Sequence, residues 1–158
     1  MAVFRSQQDI AQVAGLNYVE AASVAVAADI DLFTIDDGNV ILLGFWGEVV
    51  TEIGAGSQDI AMHLDPDDGG SNVILADATT PLAIDGDVTG TIITLNTTFG
   101  GDFVATLDYA TNAMLATPIL LVPGDLHLDV TGTEAGAITW TAVWRTAEKD
   151  GSGVLTAS

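Results

Sequence analysis

Few residues in this chain of 158 have the types and spacing that acid–base or nucleophilic chemistry requires. The only histidines are His63 and His127, and there is no cysteine. A hydrolase needs a nucleophile, a base and an orienting group, yet no Gly-x-Ser-x-Gly turn is present to hold a serine. Both histidines stand in alternating, strand-like patterns. We therefore interpret them as ordinary strand residues and expect no enzymatic activity.

Carboxylates are abundant, and the loop Asp65-Pro66-Asp67-Asp68-Gly69-Gly70 places three of them beside two glycines. Calcium prefers several oxygen ligands on a flexible loop, which makes Asp65, Asp67 and Asp68 the candidate ligands. The loop does not match an EF-hand, because it has no glutamate at the twelfth position. Asp and Gly are also common turn formers, so a solvated turn is the alternative. We expect no cofactor other than a calcium ion here.

Three indoles, those of Trp46, Trp140 and Trp144, lie in strand-like segments. Such rings serve either as a platform for sugars or as packing anchors in a core or a subunit interface. Their strand positions favour packing. We predict that Trp140, in mid-strand, belongs to the core, and that Trp46 and Trp144 lie at an interface. A carbohydrate- or receptor-binding module is the alternative.

The charge of the chain excludes several partners. With 3 Lys+Arg and 22 Asp+Glu, the formal net charge is −19. Nucleic-acid binding depends on many cationic contacts with phosphates, so we exclude DNA and RNA as partners. We exclude anionic membrane surfaces for the same reason, and no long uncharged apolar run is present to span a bilayer. The acidic surface suits either solubility or a basic partner.

The elements that would position these residues are short β-rich runs separated by Gly, Asp and Asn from Asp31 onward. This pattern predicts an all-β fold, an antiparallel β-sandwich or a jelly-roll-like barrel. The turn 36–39 contains Asp-Gly and predicts a hairpin between runs 31–35 and 40–53. Further strands are expected at 59–64, 72–78, 89–96, 102–107, 119–122, 125–130 and 137–146. The segment after 150–153 is expected to dock on the domain.

The N-terminal 28 residues differ in composition from the rest, since residues 18–28 are mostly small and apolar. We predict an N-terminal arm at 1–28, which serves assembly, and a β-sandwich domain at 29–158. Phe4, Ile10 and Val13 are the apolar residues that we expect to contact a neighbouring subunit. Deletion of the arm is expected to leave a soluble β domain that assembles less well.

Two segments carry a recognisable order of features. The first is Leu32-Phe33-Thr34-Ile35 followed by the glycine-bounded aliphatic strand 38–53. The second is Val122-Pro123-Gly124-Asp125-Leu126 followed by the strand 136–145 and the glycine-rich end 150–153. Both segments resemble small virion proteins of tailed bacteriophages, namely capsid decoration or cement proteins and head-fibre proteins. In many members a proline-leucine pair follows that strand, where this chain has Thr146-Ala147-Glu148-Lys149. The features follow the family's order over most of residues 31–157.

The resemblance implies a structural protein on the exterior of the virion, with no catalytic residues. It implies the major capsid protein as partner, and we expect self-assembly as a homotrimer. Such proteins stabilise a shell by spreading buried area over several subunit contacts.

Overall fold

A computed structural model describes residues 16–26, 28–77, 79, 81–96, 99–106 and 114–158 of the chain. These residues form an all-β fold in which two antiparallel sheets pack as a sandwich. The predicted β-sandwich is therefore confirmed, and the sheets are not closed into a barrel. The described strands are β1 (Asn17–Ala25), β2 (Ile30–Asp36), β3 (Val40–Thr51), β4 (Asp59–Pro66), β5 (Val73–Ala76), β6 (Leu82–Ala83), β7 (Ile92–Thr94), β8 (Val104–Thr106), β9 (Met114–Leu121), β10 (Gly124–Thr131), β11 (Ala137–Thr146) and β12 (Val154–Ala157).

The first sheet has the order β1-β11-β3-β7-β8, and β9 also pairs with β3. The second sheet has the order β12-β2-β10-β4-β5, and β6 also pairs with β4. The strand β12 confirms that the C-terminal segment docks, since it pairs with β2. No helix able to cross a membrane is found within the described residues.

The predicted hairpin at 36–39 is wrong, although the turn itself is present. Asp37 has a φ of 60° and Gly38 a φ of 148°, which are the positive angles expected of the Asp-Gly turn. However, β2 pairs with β10 and β12, whereas β3 pairs with β11, β7 and β9. The turn thus carries the chain from one sheet to the other instead of joining two paired strands.

The predicted boundary between arm and domain at residue 28 is also wrong. Strand β1 pairs with β11 from Asn17, opposite Trp144, to Ala25, opposite Ala137. Ala21 and Val26 are buried in the core. The small apolar composition of this segment therefore reflects close packing within the sandwich. Residues 1–15, which include Phe4, Ile10 and Val13, lie outside the described residues.

The core lies between the sheets and is built from the inward positions of each strand. In β10, Leu126 and Leu128 are buried while the alternating positions face outward. In β4, Met62 and Leu64 are buried in the same way. His63 lies between Met62 and Leu64, and His127 lies between Leu126 and Leu128. The side chains of both histidines therefore point toward the outer face of the second sheet.

Candidate functional site

Two histidines and two aspartates meet on the outer face of the second sheet. His63 on β4 lies directly opposite His127 on β10 in the antiparallel register. Asp31 on β2 pairs with His127 from the other side. Asp129 follows His127 by two positions and therefore shares its face. We call these four residues the His–Asp cluster.

The contacts in the His–Asp cluster are short. His63 Nδ1 lies 2.8 Å from Asp129 Oδ2, and His127 Nδ1 lies 2.7 Å from Asp31 Oδ1. The other oxygen of Asp129, Oδ1, lies 4.0 Å from His127 Nε2. The two imidazole centroids are 4.9 Å apart. Asp129 thus presents one carboxylate oxygen to each histidine.

Three members of the cluster, His63, His127 and Asp129, each offer one ligand atom, and these atoms lie within 4.8 Å of one another. No other set of three or more His, Cys, Asp or Glu side chains meets that distance among the described residues. The histidine side chain at position 63 is 15% exposed and that at position 127 is 26% exposed. A small ion in solution can therefore reach the rings.

The strand placement predicted for both histidines is confirmed, but the sequence interpretation missed that they form a cluster. One signal was available, since His127 and Asp129 are two residues apart in an alternating strand and must share a face. The pairing of β4 with β10 joins residues 63 and 127, which are far apart in sequence, and no local pattern indicates it.

The predicted calcium residues lie at the end of β4 and in the turn after it, and all three are exposed. Asp68 Oδ1 accepts a hydrogen bond from the backbone N–H of Gly70 at 2.8 Å, which is a turn-stabilising contact. The carboxylates of Asp65, Asp67 and Asp68 are not among the described groups with ligand atoms within 4.8 Å. Calcium at this loop stays a prediction.

The three indoles have different surroundings. Trp140 is fully buried, as predicted, and Trp144 is only 6% exposed in the single chain. The predicted interface role of Trp144 is therefore wrong, because its ring is already covered by the sandwich. Trp46 is half-buried on the outer face of the first sheet, opposite Thr141 and Thr94. An exposed sugar platform built on Trp140 and Trp144 is excluded by the same burial.

An apolar groove follows β9. It is lined by residues 115–120 together with Asn96 and Phe99, and its volume is about 330 Å³. Leu120 is 62% exposed and Phe99 is 57% exposed, the two most exposed large apolar side chains among the described residues. We call this surface the β9 groove. It arises because β9 pairs with the start of β3 and leaves alternate apolar side chains outside the core.

Comparison of this chain with known protein families, curated proteins and solved structures finds no match.

Proposed function

We propose that the chain is a structural protein of a tailed-bacteriophage virion, which decorates or cements the exterior of the capsid by binding the major capsid protein. The β9 groove is the observation that carries this proposal. Soluble proteins expose contiguous apolar surface mainly where they bind a partner. Leu120 and Phe99 are placed to anchor such a contact.

The groove suits a macromolecular contact because its lining is mostly aliphatic and aromatic. Leu115, Pro118 and Ile119 extend the apolar lining beside Leu120 and Phe99. Binding energy at protein interfaces is concentrated in a few anchors of this kind, surrounded by contacts that exclude water. A cavity of about 330 Å³ has room for large apolar side chains of a partner.

Charge favours a capsid protein over a second copy as the occupant of the β9 groove. Each chain carries a formal charge of −19, so electrostatic attraction adds to binding at the groove only when the occupant is basic, which a second copy is not. A partner with a basic rim would instead be attracted and guided to the groove. Self-assembly as a homotrimer is part of the proposal, and it would use other surfaces, namely residues 1–15 with Phe4, Ile10 and Val13, and Trp46.

The family resemblance supports the same function. Its second segment covers the connection from β9 to β10 and then β11, so it lies next to the groove in the chain. Its first segment covers β2 and β3, the strands that contribute Phe33 and Phe45 to the core.

Co-sedimentation tests the proposal. The purified chain is mixed with isolated capsids of the phage that encodes it, after the endogenous copy has been removed, and the pellet is analysed. We expect the wild type to pellet with capsids and Leu120→Asp to lose most of that binding. Val88→Asp is the matched control, because Val88 is 43% exposed but does not line the groove. Leu120 is so exposed that its replacement leaves the core intact, which circular dichroism checks.

Two results would overturn the proposal. One is that the wild type fails to pellet with capsids and is absent from purified particles by mass spectrometry. The other is that Leu120→Asp changes the oligomeric mass of the chain and leaves capsid binding unchanged, which would make the groove a contact between copies.

A further inference from the structure

We infer that His63, His127 and Asp129 form a binding site for a divalent transition-metal ion of the zinc class on the outer face of the second sheet. The inference is independent of the proposed virion function, since it uses a different surface. It rests on the chemistry of the donors, on their separations and on the position of Asp31.

The donor set selects the kind of ion. Two imidazole nitrogens and one carboxylate oxygen suit zinc, copper, nickel or iron, whereas calcium and magnesium prefer sites built only of oxygen. Three protein ligands can bind zinc with water in the fourth coordination position. The cluster differs in this respect from the all-carboxylate loop at Asp65, Asp67 and Asp68.

The separations fit a tetrahedral ion. Zinc ligands at about 2.0–2.1 Å from the metal lie about 3.3 Å from one another. One ligand atom from each of His63, His127 and Asp129 lies within 4.8 Å of the other two, and Asp129 Oδ1 is 4.0 Å from His127 Nε2. Asp129 Oδ2 accepts a hydrogen bond from His63 Nδ1 at 2.8 Å, so coordination of a metal by these two atoms replaces that bond and releases the imidazole proton. Side-chain rotations would bring these atoms to the separations of a zinc site, and the three residues stand on two paired strands whose backbones are already in register.

Asp31 prepares His127 for metal binding. A carboxylate only accepts hydrogen bonds, so the contact of 2.7 Å places the imidazole proton on Nδ1 of His127. Nε2 then keeps its lone pair, and this atom faces Asp129 Oδ1. Metal-ligating histidines commonly donate their second N–H to a carboxylate in this way. Asp31 is therefore a positioning residue, and His63, His127 and Asp129 are the ligands.

The charge of the whole chain adds to local affinity. A formal charge of −19 raises the concentration of divalent cations near the surface. This general attraction does not distinguish zinc from magnesium, so a specific site must discriminate between them.

Isothermal titration calorimetry with zinc chloride tests the site on protein that has been stripped with a chelator. We expect one zinc ion per chain, and a melting temperature that rises with zinc but not with equimolar magnesium. His63→Gln, His127→Gln and Asp129→Asn should each weaken zinc binding at least tenfold. Asp31→Asn should weaken it by about 10–100-fold through loss of orientation.

Asp125→Asn is the matched control, since Asp125 lies on the same strand and face as His127 but outside the cluster. Its zinc affinity should equal that of the wild type. Electron paramagnetic resonance of the Cu²⁺-loaded wild type provides a readout that does not depend on variants, and we expect coupling to two imidazole nitrogens. Saturable zinc binding that survives His63→Gln and His127→Gln, no saturable binding, or a copper spectrum with oxygen ligands only would overturn the inference.

Discussion

The indole of Trp140 stacks on the ring of Phe45, with 5.2 Å between the ring centroids and 29° between their planes. Phe103 packs against the same indole at 5.5 Å, and Phe33 meets Phe45 edge-on at 6.1 Å. Gly47 makes the stack possible, because a Cβ at this position would lie 2.9 Å from Trp140 Cε3. The centre of the sandwich is therefore an aromatic cluster contributed by both sheets.

Replacement of Trp140 by Ala should lower the free energy of unfolding by about 3–5 kcal/mol, because it empties the centre of this cluster. Trp140→Phe should cost less, since it keeps a ring against Phe45, and the buried Nε1 has no hydrogen-bond partner among the described atoms to lose. Trp144→Ala should also destabilise the single chain, as its ring is buried there. Urea denaturation measures all three. If the free energy of unfolding of Trp144→Ala equals that of the wild type, the core assignment of Trp144 is contradicted and an interface role is favoured.

Truncations should separate β1 from the residues before it. Deletion of residues 1–28 removes β1 together with the buried side chains of Ala21 and Val26, and it exposes the edge of β11. The midpoint of urea denaturation should therefore fall and aggregation should increase. Deletion of residues 1–15 keeps β1 and should leave the midpoint close to that of the full chain. Equal midpoints for the two truncations would contradict the assignment of β1 to the domain.

Asp87 should destabilise the fold at neutral pH. Burial raises the pKa of this carboxyl and the charge of Asp85 raises it further, and Oδ2 is buried without a hydrogen-bond partner among the described atoms. Because the pKa of Asp87 is raised in the folded state, its ionisation lowers the free energy of unfolding. This loss of stability is present above the folded-state pKa and disappears as the pH falls through it. Asp87→Asn should therefore raise the melting temperature by a few degrees at pH 7 and have little effect in acid. Asp85→Asn should give a smaller rise; a lower melting temperature for Asp87→Asn at pH 7 would contradict the prediction.

The phenol of Tyr18 should ionise at a higher pH than an ordinary tyrosine. Burial and the hydrogen bond that its hydroxyl donates to Glu20 Oε2 at 2.6 Å raise its pKa from 10.0 to about 12, against a lowering contribution from Thr141. Tyr18 contributes its full stabilisation below the pKa that it has in the unfolded chain. This stabilisation is lost as the pH rises from about 10 to about 12. Ultraviolet titration should show a late phenolate transition that is absent in Tyr18→Phe and shifted to lower pH in Glu20→Gln. A transition of Tyr18 near pH 10 would contradict this.

Cations should stabilise the chain by two separable routes. Self-repulsion at a charge of −19 is screened within a Debye length of about 10 Å at 0.1 M salt, so the melting temperature should rise from low to moderate sodium chloride. If calcium binds Asp65, Asp67 and Asp68, millimolar calcium should add a further rise that Asp67→Asn removes and Asp36→Asn keeps. Equal calcium responses in both variants would exclude a site at this loop.

Local sequence patterns were sufficient for the fold class. Alternation around Leu126 and Leu128 identified β10, and the Asp-Gly dipeptide correctly identified the turn at Asp37 and Gly38. These features depend on neighbours only a few residues apart, since side-chain direction in a strand alternates with every residue. The short apolar segment that became β1 had no periodicity to distinguish strand from helix.

The tertiary structure decided everything that depends on which strands are neighbours. It placed β2 and β3 in different sheets, buried Trp144 and brought His63 beside His127. Strand pairing between residues so distant in sequence is determined by the packing of the whole core, because many strands share the same alternating apolar pattern. A local pattern therefore indicates which residues face outward, but only the assembled sheets bring two histidines and an aspartate within reach of one ion.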